Sequence, residues 1–295
     1  SKDKVYINYV ERKQELENNV ISTDSPTQSI SYEVVNELEK ITHEHLMLSL
    51  PKTKSIEEVS NFIGDTPYII MSKMDGLTCS LTYENGELVR AETRGNGEVG
   101  EDILHNAKIL SSIPNHINYN SKLVIDGEII CKYNDFEEFS NEYANPRNFA
   151  AGSIRLLDSE ECSKRKLSFI AWDLIEGFKN VDDLYIRLRL IEDLGFTIVP
   201  FIFDSMQTVE EEINDIKELS KEFYYPIDGV VIKYRSCKKR ESLPSTSHHA
   251  GGALAYKFYD DEYETKLKNI EWTIGRTSAL TPVAIFEPIN IDGSI

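Results

Sequence analysis

The sequence predicts an α+β fold of largely antiparallel sheets with flanking helices, preceded by a small helical N-terminal piece. Short apolar runs typical of strands recur from residue 68 onward. Segments with helical periodicity lie among them, at residues 135–143, 182–194 and 209–223. An Asn-Gly pair at residues 85–86 stands between two alternating runs, which is typical of a β-hairpin. Strands and helices interspersed in this way indicate an α+β domain.

The N-terminal region differs from the rest of the chain in its predicted secondary structure. Residues 5–20 predict a helix, residues 24–28 a loop and residues 32–42 a second helix. Strand-like runs begin only beyond about residue 60. We therefore divide the chain into a helical region at residues 1–55 and a main domain at residues 56–295.

Strand-like runs make up most of the main domain. They alternate apolar and polar residues or are short and continuously apolar, as half-buried and buried strands are. Gly, Asn or Pro residues separate many of them. The predicted strands lie at residues 68–71, 77–83, 87–93, 123–131, 167–174, 230–234, 254–258 and 279–286.

Composition places the chain among ordinary soluble proteins. It has 295 residues, of which 40% are hydrophobic and 28% charged. Its apolar runs are too short to span a bilayer, so we expect no membrane segment. The four cysteines form no C-x-x-C pair, which argues against a zinc site and favours a reduced, cytoplasmic protein. The start, Ser1-Lys2-Asp3-Lys4, has no initiator Met, so we expect a longer natural protein.

Net charge limits the nucleic-acid functions that this chain can perform alone. Fifty acidic residues against 32 basic ones give a net charge of −18. A surface of that charge repels a polyanion, whereas proteins that hold DNA by themselves are usually basic. We therefore expect weak DNA binding by this chain, with its basic residues concentrated on one face.

Three lysines occupy positions where a solvated surface residue is not expected. Lys73 begins a Lys-Met-Asp-Gly sequence at a strand end, Lys233 ends an apolar strand, and Lys257 lies in an aromatic run. A lysine within such apolar strands is costly unless it is paired or functional. The three together favour a chemical role over three independent surface positions.

A lysine nucleophile must lose its proton before it attacks. From a reference pKa near 10.4, deprotonation at pH 7.5 costs roughly 4 kcal/mol. Nearby positive charge lowers that cost, and Lys233, Lys257 and a bound Mg²⁺ would supply it for Lys73. The same cations would offset the charge of a phosphate under attack. Glu128 and Asp75 are the carboxylates predicted to hold Mg²⁺ through water.

Five sequence blocks occur in order along the chain. The blocks are S-P-T-Q at residues 25–28, K-M-D-G at 73–76, T-R-G-N-G at 93–97, A-N-P-R-N at 144–148 and G-R-T-S-A-L-T-P-V-A at 275–284. With these blocks the chain resembles bacterial NAD-dependent DNA ligases over nearly its whole length. K-x-D-G by itself is shared by all covalent nucleotidyltransferases, whereas the T-R-G-x-G, A-N-P-R-N and G-R-T-x-x-x-T-P-V-A blocks in this order are highly specific, and S-P-T-Q and A-N-P-R-N match the NAD-dependent class only.

The resemblance implies a nucleotidyltransferase fold, an NAD substrate, a Mg²⁺ cofactor and a role for each matching residue. Lys73 resembles the AMP acceptor, and Trp172 matches a position that stacks on adenine. The implied catalytic residues are Lys73, Asp75, Glu128, Lys233 and Lys257, with Glu128 and Asp75 also holding the metal. The implied nucleotide-binding residues are Tyr6, Ser49, Leu50, Lys73, Arg94, Glu128, Trp172, Asp228, Lys233 and Lys257, and the implied DNA-binding residues are Arg147 and Arg155.

The implied reaction transfers AMP from NAD to Lys73 and releases nicotinamide mononucleotide (NMN). AMP then passes to a DNA 5′-phosphate at a nick, during replication and repair, by a monomeric cytoplasmic enzyme. The resemblance makes residues 1–55 a remnant of the NMN-binding domain, of which Asp3 and Tyr6 fit the end of the pattern. It also places the chain's C-terminus where the family's OB-fold would begin.

Two other functions remain open from the sequence. One is an ATP-dependent nucleic-acid ligase, and the other is a degenerate paralogue that binds nucleotide without catalysis. Departures from the family pattern keep the second open: Met71 replaces a Glu, Asp126 replaces an Arg, and Gly251-Gly252 replaces Arg-Trp. Ile7 also stands where an Asp is expected.

Overall fold

A computed structural model describes residues 38–244, 251–258, 264–274 and 280–289. The chain divides into two compact units, one comprising residues 38–260 and the other residues 1–37 with 261–295. The helix predicted at residues 5–20 lies outside the described residues. No helix within the described ranges is long and apolar enough to cross a bilayer.

The first unit holds most of the described secondary structure. Its strands are β1 (Lys40–Thr42), β2 (Lys52–Thr53), β3 (Tyr68–Met74), β4 (Leu77–Glu84), β5 (Glu87–Thr93), β6 (Val99–Glu101), β7 (Leu123–Ile130), β8 (Ser168–Glu176), β9 (Phe201–Phe203), β10 (Ile227–Tyr234) and β11 (Ala253–Lys257). Its helices are α1 (Ile56–Ile63), α2 (Leu104–Ala107), α3 (Tyr133–Phe136), α4 (Pro146–Ser153), α5 (Ser159–Ser163), α6 (Leu184–Asp193), α7 (Val209–Glu222) and α8 (Cys237–Ser242). In the second unit, β12 (Leu267–Ile274) and β13 (Leu280–Phe286) pair as an antiparallel hairpin.

Two sheets form the body of the first unit. The four-stranded sheet has the order β5-β4-β7-β8 and is antiparallel throughout. The five-stranded sheet has the order β2-β11-β10-β3-β9, in which only the β11–β2 pair is parallel. Strand β1 pairs with β6 as a separate ribbon. The predicted α+β fold with largely antiparallel sheets is confirmed.

Residues on β3 alternate between two hydrophobic cores. Ile69 and Met71 belong to a large core that both sheets share, whereas Ile70 belongs to a smaller core with α1 and α7. Successive side chains of a strand point to opposite faces, so both faces of β3 are buried. Helix α7 begins at a capping box, in which Thr208 and Glu211 satisfy each other's backbone N–H groups.

The predicted hairpin is present between β4 and β5. Asn85 and Gly86 have φ values of 51° and 85°, the backbone conformation that a two-residue type I′ turn requires. The turn fixes the register in which Cys79 pairs with Thr93. This places the 93–97 segment beside the start of β4.

Two helix predictions were wrong in part. Residues 40–42 of the helix predicted at 32–42 form β1, because they pair with β6 instead of continuing a helix; residues 32–37 lie outside the described residues. The helix predicted at 135–143 is a single α-turn at Tyr133–Phe136 followed by a 3-10 turn at Glu137–Phe139. There, Phe136 and Phe139 turn inward to pack on the Phe149 ring.

The turn between β3 and β4 tolerates no side chain at Gly76. A Cβ there would lie 2.1 Å from the Ile129 carbonyl oxygen, so Gly76→Ala forces β4 away from β7. We expect this substitution to lower the free energy of unfolding by about 1–3 kcal/mol, measured by urea denaturation. Gly152→Ala is the matched control, since its Cβ would lie 3.5 Å from Tyr143 within helix α4. That change should be neutral or stabilise by up to about 1 kcal/mol, and equal costs for both would contradict the argument.

Candidate functional site

Lys73 and Lys257 converge on one carboxylate. The side chain of Lys73 donates a hydrogen bond of 2.7 Å to Asp228 Oδ1, and Lys257 Nζ lies 3.0 Å from Asp228 Oδ2. The strand register explains the arrangement, because Gly229 on β10 pairs with Lys73 on β3 and with Lys257 on β11. A Cβ at Gly229 would lie 2.2 Å from the Tyr256 carbonyl oxygen. Only glycine therefore allows the close approach that holds the two lysines on either side of Asp228.

The Lys73–Asp228–Lys257 group carries one net positive charge. Burial opposes ionisation of Asp228, but the two ammonium groups outweigh it and hold the pKa of that carboxyl below its usual value. Asp228 is therefore ionised at neutral pH. A group with net positive charge suits an incoming phosphate.

A cavity of about 410 Å³ opens beside this group, within the size range of small-molecule sites. Its walls come from both sheets and from the segment at residues 45–50. Every described residue that the sequence predicts for the site lines it: Ser49, Leu50, Lys73, Asp75, Arg94, Glu128, Arg147, Arg155, Trp172, Asp228, Lys233 and Lys257. Tyr6 lies outside the described residues.

Lys233 occupies a different part of the cavity wall from Lys73. It is buried, donates a hydrogen bond of 2.8 Å to Asp173 Oδ2, and lies 4.4 Å from the centre of the Trp172 ring. Arg240 Nη1 donates to the same Asp173 oxygen at 2.8 Å. Burial lowers the pKa of Lys233, although Asp173 opposes the shift. A buried carboxylate with two cations thus fixes the wall beside Trp172.

Asp173 and Arg240 are site residues that the sequence reasoning missed. They are 67 positions apart, on β8 and α8, so no local pattern connects them. A buried acid next to Trp172 in an otherwise apolar strand was the one available signal.

Glu128 and Asp75 are two further acidic groups that line the cavity. Burial raises the pKa of Glu128 to about 7, although Lys73, Thr78 and two arginines oppose the shift. Burial also raises the pKa of Asp75, against the opposing effect of Arg147. Both carboxyls therefore hold protons more readily than usual, and a cation bound beside them would favour their ionised forms.

Arginine side chains line the open side of the cavity. Arg147 lies in the first turn of α4, where Asn145 caps the helix by accepting from the Asn148 N–H. Arg147 Nη1 donates a hydrogen bond of 3.0 Å to Asp75 Oδ1. Arg155 pairs with Glu101. These guanidinium groups are held by acids at the rim, where planar donors suit phosphate oxygens.

The segment at residues 43–50 covers the polar face of the four-stranded sheet. His43 Nδ1 lies 2.9 Å from Glu92 Oε1, and His45 Nε2 lies 3.0 Å from Asp126 Oδ2. Burial disfavours protonation of His45, but its hydrogen bond to Asp126 and nearby acids outweigh this and raise its pKa. Each histidine thus ties the segment to one buried acid of the sheet.

Comparison with known protein families shows which family this chain belongs to. The sequence model described as "NAD-dependent DNA ligase adenylation domain" matches residues 35–261. The chain belongs to this family. The resemblance inferred from the sequence motifs is confirmed, and the matched range contains every described residue of the site.

Curated relatives of the adenylation domain carry the name DNA ligase. The chain is 37% identical to one from Lachnoclostridium phytofermentans over 292 residues, covering 96% of this chain and 45% of that protein. It is 36% identical to one from Ruminiclostridium cellulolyticum over 302 residues, covering 99% and 46%. It is 38% identical to one from Brachyspira hyodysenteriae over 292 residues, covering 92% and 44%. The chain thus spans about half the length of the curated relatives it matches.

Proposed function

We propose that this chain is the AMP-accepting core of an NAD-dependent DNA ligase, with Lys73 as the nucleophile. Lys73 Nζ forms a bond to the α-phosphorus of NAD, the bond from that phosphorus to the bridging oxygen breaks, and NMN leaves with its phosphate. The observation that carries the proposal is the Lys73–Asp228–Lys257 group beside a cavity lined by Trp172. An in-line displacement of this kind depends mainly on position and charge.

Each of the other cavity residues has a proposed part in this reaction. Trp172 offers a flat aromatic face for adenine. Lys257 and Arg94 face the phosphates. Ser49 and Leu50 line the nucleotide end, and Tyr6 belongs to a remnant of the NMN-binding domain at residues 1–55. The main domain at residues 56–295 then supplies the AMP acceptor.

Glu128 and Asp75 are the proposed protein ligands for Mg²⁺. Among the described residues, no three His, Cys, Asp or Glu side chains converge as a metal cluster. Mg²⁺ in phosphoryl-transfer sites commonly uses one or two carboxylates together with water and substrate phosphates, so two carboxylates fit. When bound, the ion offsets negative charge on the phosphate. Because the pKa of Glu128 is raised to about 7, its contribution to cation binding should grow as the pH rises through 7.

The later steps involve nicked duplex DNA. AMP passes from Lys73 to the 5′-phosphate at a nick, and the 3′-hydroxyl then displaces it. Arg147 and Arg155 are the proposed contacts to the DNA backbone. With a net charge of −18, the chain alone should hold DNA weakly. We propose that it acts as a monomer in the cytoplasm.

Intact-mass spectrometry after incubation with Mg²⁺ and either NAD or ATP tests the proposal. We expect a gain of one AMP group, about 329 Da, with NAD and none with ATP. Addition of NMN should then remove the group by reversing the reaction. A gain with ATP alone would support an ATP-dependent ligase instead. No adduct under either condition would support a chain that binds nucleotide without catalysis.

A further inference from the structure

Asp126 is a buried acid of the cavity wall, and one of its oxygens has no hydrogen-bond partner among the described residues. Its side chain is 3% exposed and lines the cavity. His45 occupies Oδ2 at 3.0 Å. Oδ1 is buried, and no described residue donates a hydrogen bond to it. Since buried acceptors in folded proteins are nearly always paired, this oxygen calls for a partner.

The strand register places Asp126 next to the aromatic face of the site. On β7, Asp126 pairs with Asp173 of β8, and the next residue, Gly127, pairs with Ala171. Trp172 is therefore the extra residue of a bulge beside Asp126. Glu128 stands two positions further along β7, on the same face and about 7 Å away. Asp126 therefore pairs at the bulge that contains Trp172, and Glu128 follows it on the same face of β7.

The neighbouring groups of the wall leave Asp126 as the free acceptor. Both oxygens of Asp173 already accept hydrogen bonds, from Lys233 and Arg240. Met71, which also lines the cavity, offers only a weakly accepting thioether. An ionised carboxylate accepts and cannot donate. The wall at this position therefore suits a ligand group that donates.

We propose that Asp126 sets the base specificity of the cavity by accepting, at Oδ1, a hydrogen bond from the exocyclic amine of adenine. The inference rests on the proposed function, in which adenine lies on Trp172. Adenine carries a donor at its sixth position, whereas hypoxanthine and guanine carry a carbonyl there. A carboxylate facing that carbonyl would place two acceptors together. His45 is a positioning residue in this arrangement, because its contact with Oδ2 fixes the orientation of the carboxylate.

Equilibrium binding of AMP and of inosine monophosphate (IMP) tests the proposal without requiring chemistry. These ligands differ at the sixth position of the base, which carries an amine in AMP and a carbonyl in IMP, and at the adjacent N1, which accepts in AMP and donates in IMP. Wild-type protein should bind AMP at least about tenfold more tightly than IMP by calorimetry. Asp126→Asn should reduce this ratio to about one or invert it, because the amide can donate to the carbonyl of IMP. Asp126→Ala should reduce the ratio to about one without inversion.

Glu92→Gln is the matched control. Glu92 is a buried acid paired with His43 as Asp126 is with His45, and it does not appear among the described residues that line the cavity. This variant should keep the wild-type AMP to IMP ratio. The ratio is taken within one protein, so a partial loss of folded material does not alter it.

Adenylation separates this inference from the proposed function. NAD should label the wild-type protein at least about tenfold faster than nicotinamide hypoxanthine dinucleotide, and Asp126→Asn should narrow that gap. Absence of labelling together with an Asp126-dependent preference for AMP would overturn the proposed function and leave the specificity inference standing. A wild-type protein that binds AMP and IMP equally would overturn the inference, even if the variants do not fold. An unchanged ratio in folded Asp126→Asn would also overturn it.

Discussion

Lys73→Arg removes AMP attachment while leaving the fold and the charge of the site in place. Arginine keeps a positive group that can pair with Asp228, as Lys73 does at 2.7 Å. Its guanidinium does not lose a proton at any accessible pH, so it cannot act as a nucleophile. We expect labelling by NAD to fall by about 10⁴-fold or more, measured by intact mass, with an unchanged melting temperature.

Lys257→Arg distinguishes the nucleophile from its neighbour. Lys257 contacts the other oxygen of Asp228 at 3.0 Å, and we assign it to charge compensation. An arginine there keeps the charge, so labelling should continue at a reduced rate, lower by about 10- to 10³-fold. Peptide mapping of the labelled wild-type protein should place AMP on Lys73. A labelled Lys73→Arg protein, or an adduct mapped to Lys257, would contradict the assignment of the nucleophile.

The position of Lys73 could be predicted because several independent sequence signals coincide. The apolar strands that contain Lys73, Lys233 and Lys257 mark all three lysines as unusual. The Asn85-Gly86 turn fixes the first hairpin through local backbone chemistry. Family motifs then add residues such as Trp172, whose role no periodicity reveals.

Short elements could not be predicted because they depend on neighbours distant in sequence. Strand β9 has three residues and forms only because it pairs with β3. Helix α4 has the local signals of a helix, namely the Asn145 cap and Pro146 in its first turn. Its span at residues 146–153 lies outside the helices predicted from periodicity, because eight residues are too few to show a clear helical period. The ribbon at residues 40–42 is another element that only long-range pairing creates.

The electrostatic arrangement of the cavity was the least predictable feature. Sequence reasoning assigned Lys233 to the neighbourhood of Lys73, whereas its hydrogen bond is to Asp173. Asp173 and Arg240 meet only after β8 and α8 are in place. The contribution of these charges to the free energy of unfolding depends on their burial, which sequence spacing does not reveal.

Asp173→Asn should be strongly destabilising. Asp173 is 6% exposed and accepts from Lys233 at 2.8 Å and from Arg240 at 2.8 and 3.4 Å. The amide keeps the size of the side chain but leaves two buried cations without a counter-charge. Breaking a buried ion pair in this way costs about 3–5 kcal/mol. Urea denaturation followed by fluorescence measures the cost.

Fluorescence can be restricted to the site by one substitution. The chain has two tryptophans, and Trp272 lies in the other compact unit. In a Trp272→Phe background the signal comes from Trp172 alone, whose ring lies 4.4 Å from Lys233 Nζ. Glu218→Gln is the control, since Glu218 forms an exposed pair with Lys221 and should cost no more than about 0.5 kcal/mol.

The effect of Asp173→Asn should depend on pH in a defined direction. Burial opposes ionisation of Asp173, but Arg240 and Lys233 outweigh it and hold the pKa of Asp173 well below its ordinary value. A carboxyl with a depressed pKa stabilises the fold above its unfolded-state pKa of about 4, and this stabilisation declines as the pH falls below it. The difference between wild type and variant should therefore be large at pH 7 and shrink below about pH 4.

Removing the second cation tests whether unpaired charge is the cause of the destabilisation. The double variant Asp173→Asn with Arg240→Met lacks one of the two cations that the single variant leaves without a counter-charge. The other cation, Lys233, can lose its proton because burial already lowers its pKa. We expect the double variant to recover about 1–3 kcal/mol relative to Asp173→Asn alone. If the two substitutions instead add their costs, the destabilisation comes from lost packing beside Trp172 and the charge argument fails. Recovery would mean that Asp173 stabilises the cavity wall by compensating the positive charges of Lys233 and Arg240.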